Sequence, residues 1–269
     1  MPRANRYFVP GYIWHITHRC HKQEFLLKFL RDRKCWISWL YEAKKRFGLT
    51  VYNYTATSNH IHLLVEDNDG DDTIPNAMQL VAGRLAQHYN QRKKRKSAFW
   101  EDRYHATAVD TGSHLSQCLV YIDMNMVRAG VVKHPKDWPT GGYCEIQKPR
   151  DRYGIIDHER LSQKLCFPNV PEFQRQHREW VTQALRDNAL AREAKWSQSI
   201  AVGNEAFILE ITKSLYPKAG KREIVEIGGS QIVREPMPAY KANFGGEMVA
   251  LRPKNMHFWK LSADVEKTY

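Results

Sequence analysis

No stretch of this 269-residue chain holds the roughly 18 uninterrupted apolar residues that a membrane-spanning helix needs. The opening Met1-Pro2-Arg3-Ala4-Asn5-Arg6 is not followed by an apolar core segment, so a secretory signal is not expected. Cysteine is scarce and unordered. The five residues Cys20, Cys35, Cys118, Cys144 and Cys166 are odd in number and show no CxxC spacing. A disulfide framework or a zinc ribbon is therefore disfavoured, and a reducing cytoplasm is the expected setting. Internal repeats and low-complexity tracts are also lacking. Acid is short relative to base, with 29 Asp and Glu against 41 Lys and Arg, a net charge of +12.

That imbalance points to an anionic partner, and it is unevenly spread. Residues 1–50 carry 11 Lys and Arg against 3 acids, whereas residues 51–75 carry 5 acids and no base. Arg92-Lys93-Lys94-Arg95-Lys96 is an unbroken basic run, followed closely by Phe99 and Trp100. Charges that track phosphates, beside rings that stack on unpaired bases, suit a nucleic acid. A solvated loop is the plainer reading of the run alone. A membrane surface is disfavoured, because no amphipathic helix presents the strong apolar face such binding requires.

The most informative short motif is His60-Ile61-His62. Side chains alternate along a strand, so both imidazoles face one way while Ile61 faces the other. Two imidazoles side by side on a rigid element suit a divalent metal. Among 12 histidines the same spacing also arises by chance. A second feature adds weight. Ser113 is placed to cap a helix that starts near Leu115 and is ended by Gly130. On it Tyr121 and Asn125 lie four apart, on one face, beside an apolar stripe of Leu115, Leu119, Ile122 and Met126.

Strands are expected over Gly11–Cys20, Leu49–Ala56, Asn59–Glu66 and Ala98–Asp110. Helices are expected over Glu24–Phe47, with Phe25 and Phe29 on its apolar face, and over Pro75–Gln91, followed by the Tyr121 helix. An acidic loop, Asp67 to Asp72, joins the third strand to the second helix. The order β-α-β-β-α-β-α is the ferredoxin-like, or RRM-like, plan: an α+β fold with an antiparallel sheet and helices on one face. In it the first and third strands are central neighbours. After about residue 150 the pattern turns mostly helical, over Asp157–Leu165, Glu172–Lys195 and Asn204–Leu215, with a hairpin at Arg222–Glu235. The expected division is a domain at 1–148 and a C-terminal extension at 149–269, the latter contacting DNA or regulating.

Four ordered stretches resemble a known family. They are Arg6-Tyr7-Phe8-Val9-Pro10-Gly11, Asn59-His60-Ile61-His62-Leu63-Leu64, Phe99-Trp100-Glu101-Asp102-Arg103-Tyr104, and Tyr121-Ile122-Asp123-Met124-Asn125-Met126-Val127-Arg128-Ala129-Gly130. Pro135 to Tyr143 adds a fifth. Together, over roughly residues 5–145, they resemble the single-tyrosine HUH transposases, and most closely the REP-associated tyrosine transposases of bacteria. Met126 departs from the proline usual in that family.

The resemblance implies a nuclease and strand transferase acting on single-stranded DNA at hairpins of repeated palindromes, in the cytoplasm and associated with the nucleoid. His60, His62 and Asn125 would hold Mg²⁺ or Mn²⁺. Tyr121 would be the nucleophile, forming a 5′-phosphotyrosine and freeing a 3′-OH. Arg92, Lys93, Lys94, Arg95, Lys96, Trp100, Arg103, Tyr104 and Arg128 would contact DNA. The chemistry suits these residue types. A divalent ion on a phosphodiester offsets the charge that accumulates on attack. A phenol with an ordinary pKa near 10 is a usable leaving group for rejoining. The alternative is a catalytically idle DNA-hairpin-binding protein of the same fold. An RNA-binding domain would carry aromatics where His60, His62 and Leu64 stand, and a water-using hydrolase would never become attached to DNA. His15 and His18 fall on opposite faces of the first strand, so at most one can approach the metal. Monomer and homodimer are equally open.

Overall fold

In a computed structural model of the protein, the described residues are 8, 11–66, 72–187, 191, 193–215, 223–227 and 229–234. The chain divides into two compact units, residues 1–236 and 237–269. The boundary expected between residues 148 and 149 lies inside the first, and the second lies outside the described residues, as does most of the acidic loop.

The first part builds the expected order. It runs β1 (Ile13–Arg19), α1 (Leu30–Phe47), β2 (Thr50–Ala56), β3 (His60–Glu66), α2 (Thr73–Lys93), β4 (His105–Val109) and α3 (Ser113–Asp123). The strands lie in the order β2-β3-β1-β4, all antiparallel, so β1 and β3 are central neighbours as the topology predicts. The register opposes Thr17 to His62 and Arg19 to His60. Those four residues therefore share one face of the sheet.

The opposite face carries Trp14, Ile16, Ile61, Leu63 and Tyr54, all buried, with α1 and α2 over it. α1 ends where Gly48 takes a left-handed conformation (φ 68°) and its N–H reaches the Lys44 carbonyl at 3.0 Å. α1 starts later than the sequence pattern predicts. Lys22 and Gln23 both have positive φ, and the Leu27 N–H bonds to the Ser58 carbonyl, so residues 24–29 cannot join the helical ladder. Leu26 and Leu27 turn inward instead, leaving Phe25 and Phe29 60% and 52% exposed.

α3 lies on the histidine face. Leu115, Leu119, Ile122 and Met126 are buried as a stripe, each contributing about 1.5–3 kcal/mol of apolar burial. Asn53 and Thr55 of β2 donate to the α3 carbonyls of Leu119 and Ile122. Gly112, not Ser113, holds the cap position, with φ 64°; Ser113 is the first helical residue. The helix is interrupted at Met124 before α4 (Asn125–Arg128). At that break the Tyr121 carbonyl accepts from the side chains of Asn125 (3.3 Å) and Arg128 (2.6 Å). Gly130 closes the segment in the left-handed region, φ 67°.

β4 is shorter than the expected Ala98–Asp110. Residues 98–104 leave the sheet, save for a bridge between Cys20 and Trp100, and Asp102 accepts from the Arg103 N–H in a local turn. α5 (Tyr143–Gln147) leads into the extension, which supplies α6 (His158–Lys164), α7 (Val170–Arg186), α8 (Lys195–Gln198) and α9 (Glu205–Leu215). It also adds three strands to the same sheet: β5 (Ala201–Gly203), β6 (Glu223–Ile227) and β7 (Ser230–Arg234). β5 pairs in parallel with β4, and β7 and β6 follow antiparallel, giving seven strands. β4, otherwise an exposed edge, is thereby covered. α7 is tied to α3 by a fully buried pair, His177 Nε2 to Asp123 Oδ2 at 2.8 Å.

Candidate functional site

Three elements converge at one end of the histidine face. β3 brings His60 and His62, the end of α3 brings Tyr121, and α4 brings Asn125 and Arg128. With Arg103 and residues of the extension, they line a single cleft of about 690 Å³. Sequence separations of sixty residues are thus closed by sheet register on one side and by packing of the apolar stripe on the other.

Each imidazole is held at Nδ1. His60 Nδ1 lies 2.7 Å from Asn59 Oδ1 and 3.0 Å from the Thr57 hydroxyl. Asn59 donates its own amide hydrogen to the Gln23 carbonyl, so its oxygen faces the ring and accepts. His62 Nδ1 lies 2.9 Å from His15 Nε2, and His15 Nδ1 lies 2.8 Å from the Trp196 carbonyl. His62 is 3% exposed, and its Nε2 is buried with no hydrogen-bond partner among the described residues. Burial, and then the nearby His60, His15, Arg128 and Arg19, hold the His62 imidazole well below the usual histidine range. Burial takes His15 down to about 3, against a partial rise from the Trp196 carbonyl. Burial thus favours the neutral form of both rings.

Tyr121 is 5% exposed and is ringed by aromatic neighbours. His62, His15 and Trp196 lie 5.9, 6.1 and 6.1 Å away between ring centroids. The Arg128 guanidinium carbon sits 4.1 Å from the centroid of the tyrosine ring while its Nη2 donates to the Tyr121 carbonyl. Asn125 spends its amide hydrogens on the carbonyls of Tyr121 and Ile122, so its carbonyl oxygen is the atom of that amide able to act as a ligand. Two imidazoles and an amide form a donor set that a divalent ion accepts, and the unpartnered His62 Nε2 fits that use. Among the described residues no group of three or more His, Cys, Asp or Glu side chains is gathered to hold a metal, so a site here depends on the amide.

The remaining residues named from the sequence divide. Arg103 lines the cleft and is exposed. Trp100 does not line it; its ring stacks on His18 at 4.0 Å and its N–H donates to the Ala82 carbonyl. Tyr104 is half-buried, within 6.2 Å of His18. The basic run lies at the end of α2, away from the cleft lining. There Arg92 pairs with the buried Asp32, and Arg95 pairs with Glu24 at 3.2 Å, while Lys93 and Lys96 are exposed and Lys94 caps the helix end.

His15 and Trp196 are the site residues that sequence reasoning missed. Parity narrows the choice to His15 or His18 but cannot say which face meets β3's histidines. Trp196 sits in a segment with no motif at all. Ser197 and Gln198, which follow it, reach the cleft.

Residues 9–125 match the family model described as Transposase IS200 like. Among solved structures, a REP-associated tyrosine transposase bound to a REP hairpin is 17% identical, with a TM-score of 0.47, over 58% of this chain and 94% of the other. A protein from Deinococcus radiodurans R1, provisionally assigned as a transposase, is 13% identical, with a TM-score of 0.32, over 48% of this chain and 92% of the other. No curated protein matches.

Proposed function

We propose that this chain, whose residues 9–125 match the IS200-like transposase family model, cuts and rejoins single-stranded DNA through a covalent bond to Tyr121. The observation that carries this reading is the meeting of Tyr121, His60, His62 and Asn125 in one cleft. The Tyr121 phenol oxygen attacks a backbone phosphorus. The bond from phosphorus to the 3′ oxygen breaks, leaving a 5′-phosphotyrosine and a free 3′-OH. Rejoining is the reverse: a 3′-OH attacks the phosphotyrosine and the phenol departs.

His60, His62 and Asn125 would hold Mg²⁺ or Mn²⁺, with the imidazole nitrogens favouring Mn²⁺. A divalent ion bound there supplies Lewis-acid stabilisation of the phosphate's growing negative charge. Arg128 keeps the tyrosine ring in place from above and lays positive charge over its face. The DNA partner is a single-stranded or hairpin segment, whose unpaired backbone can enter the cleft beside cationic side chains. Arg103, at the cleft, and Lys93, Lys94 and Lys96, at the end of α2, would follow its phosphates. Among the described residues no helix is long and apolar enough to cross a membrane.

Covalent trapping tests the reading. Full-length protein, Mn²⁺ and labelled single-stranded hairpins from repeats near its gene are run on a denaturing gel. The expected result is a slow, protease-sensitive band, lost with EDTA, with Tyr121→Phe and with His60→Ala. Cleavage without the band would move the nucleophile to water. A native-gel shift with no cleavage across several repeats would leave a protein that binds hairpins and no longer cuts.

A further inference from the structure

Two groups stand in line behind His62, the His15 ring and the Trp196 carbonyl, and the second belongs to the extension. The Trp196 carbonyl can only accept, so at 2.8 Å it requires a proton on His15 Nδ1. His15 is fully buried, and its two ring nitrogens meet a carbonyl and an imidazole rather than a carboxylate, so the ring carries that one proton and no other. His15 Nε2 is then an acceptor, and the hydrogen of the 2.9 Å contact belongs to His62 Nδ1. One proton on Nδ1 leaves His62 Nε2 with its lone pair, and that is the buried atom with no hydrogen-bond partner among the described residues.

We propose that His15 is a positioning residue which, anchored by the Trp196 carbonyl, fixes His62 in the Nδ1–H tautomer and so presents Nε2 as a metal ligand. The proposal rests on the metal-binding reading of His60 and His62, and adds how one ligand is set and by which part of the chain. The matched transposase domain ends at residue 125, yet the anchoring carbonyl comes from residue 196. The extension therefore acts on the ligand set through one peptide group. His60 needs no such help, because Asn59 and Thr57 of its own hairpin hold its Nδ1. The arrangement also accounts for the near-coplanar, edge-to-edge setting of the two rings, with centroids 5.1 Å apart and planes 7° from parallel. In metal sites generally, losing a group that orients an imidazole weakens the metal by about 10–100-fold.

Two measurements on the full chain decide it. In wild-type protein with ¹⁵N-labelled histidine and no metal, long-range ¹H–¹⁵N correlation should show the His62 proton on Nδ1. Mn²⁺ binding without DNA, followed by the electron paramagnetic resonance signal of free ion, should weaken by about 10–100-fold in His15→Leu. His15→Gln, whose amide can donate to Trp196 and accept from His62, should restore most of that loss. A His62 proton on Nε2 in the wild type would overturn the proposal without recourse to any variant. So would wild-type Mn²⁺ affinity in His15→Leu while His62→Ala is impaired. Undiminished Mn²⁺ binding in His62→Ala would instead sink the metal reading itself, and the purpose given to His15 with it.

Discussion

The basic run Arg92–Lys96 and the single Arg128 both announce positive charge, but the fold uses them differently. In the run, Arg92 is drawn onto the buried Asp32 and lies over the Tyr89 ring, and Arg95 reaches Glu24 and the Ala98 carbonyl. Arg128 stands alone in sequence, yet it is folded against Tyr121 inside the cleft. Density of charge along a chain measures attraction to a polyanion in general. Proximity to Tyr121 is set by which helix turn faces which strand.

The comparison can be broken at several points. The largest effect expected is on stability, from Arg92→Ala. It leaves Asp32, 1% exposed, as an unpaired buried charge, which costs about 3 kcal/mol. Urea unfolding would register it, and Asp32→Asn in the same background should recover part of the loss. If Arg92 served DNA alone, unfolding would not change.

Arg128→Ala should leave hairpin binding largely intact and slow formation of the Tyr121 adduct by about 100-fold, the usual scale for removing one charge-stabilising donor. Arg128→Lys should restore little, because an ammonium lacks the planar surface that lies on the tyrosine ring. An equal fall in binding and in adduct rate would make Arg128 an ordinary phosphate contact.

Replacing Lys93, Lys94 and Lys96 together by Ala should do the reverse. Affinity for single-stranded DNA should weaken at low salt, with the slope of log affinity against log salt shallower by about 0.7 for each phosphate no longer neutralised. The adduct rate at saturating DNA should stay as in the wild type. An unchanged slope would remove the run from the DNA path.

Stability should also depend on pH. His15 is held near 3 and His62 also well below its ordinary value, mainly by burial. Unfolded, both titrate near 6.5, so below that pH the unfolded chain binds more protons than the folded one. Their contribution is complete above about pH 6.5 and is lost as pH falls towards 3. Denaturant midpoints at about pH 7 and about pH 5 should show the decline. His15→Leu should flatten it, and the triple lysine variant should not.

Much of the site is legible in the order of residues alone. His60 and His62 share a face because strands alternate, and Tyr121 and Asn125 reach one cleft because they lie a helical turn apart. The stripe of Leu115, Leu119, Ile122 and Met126 correctly marks the side of that helix that is buried. Other readings depend on competition that a linear pattern does not show. Phe25 and Phe29 fit a helical period, but the Leu27 N–H is taken by the Ser58 carbonyl and the helix cannot reach back to them. Ala98 to Tyr104 looks like strand, but Trp100 is held by Ala82 and His18, and Asp102 turns the chain.

Alternation and helical period are local rules, so sequence alone determined the β1–α3 order, the pairing of the two histidines and the pairing of Tyr121 with Asn125. Register and layer packing are not local. They set His62 opposite Thr17, brought α3 onto that face, and left His15 rather than His18 behind His62. They also carried the Trp196 carbonyl, from a stretch without any motif, to within 2.8 Å of His15. A carbonyl is present at every residue, so only tertiary structure could decide which one would hold that ring.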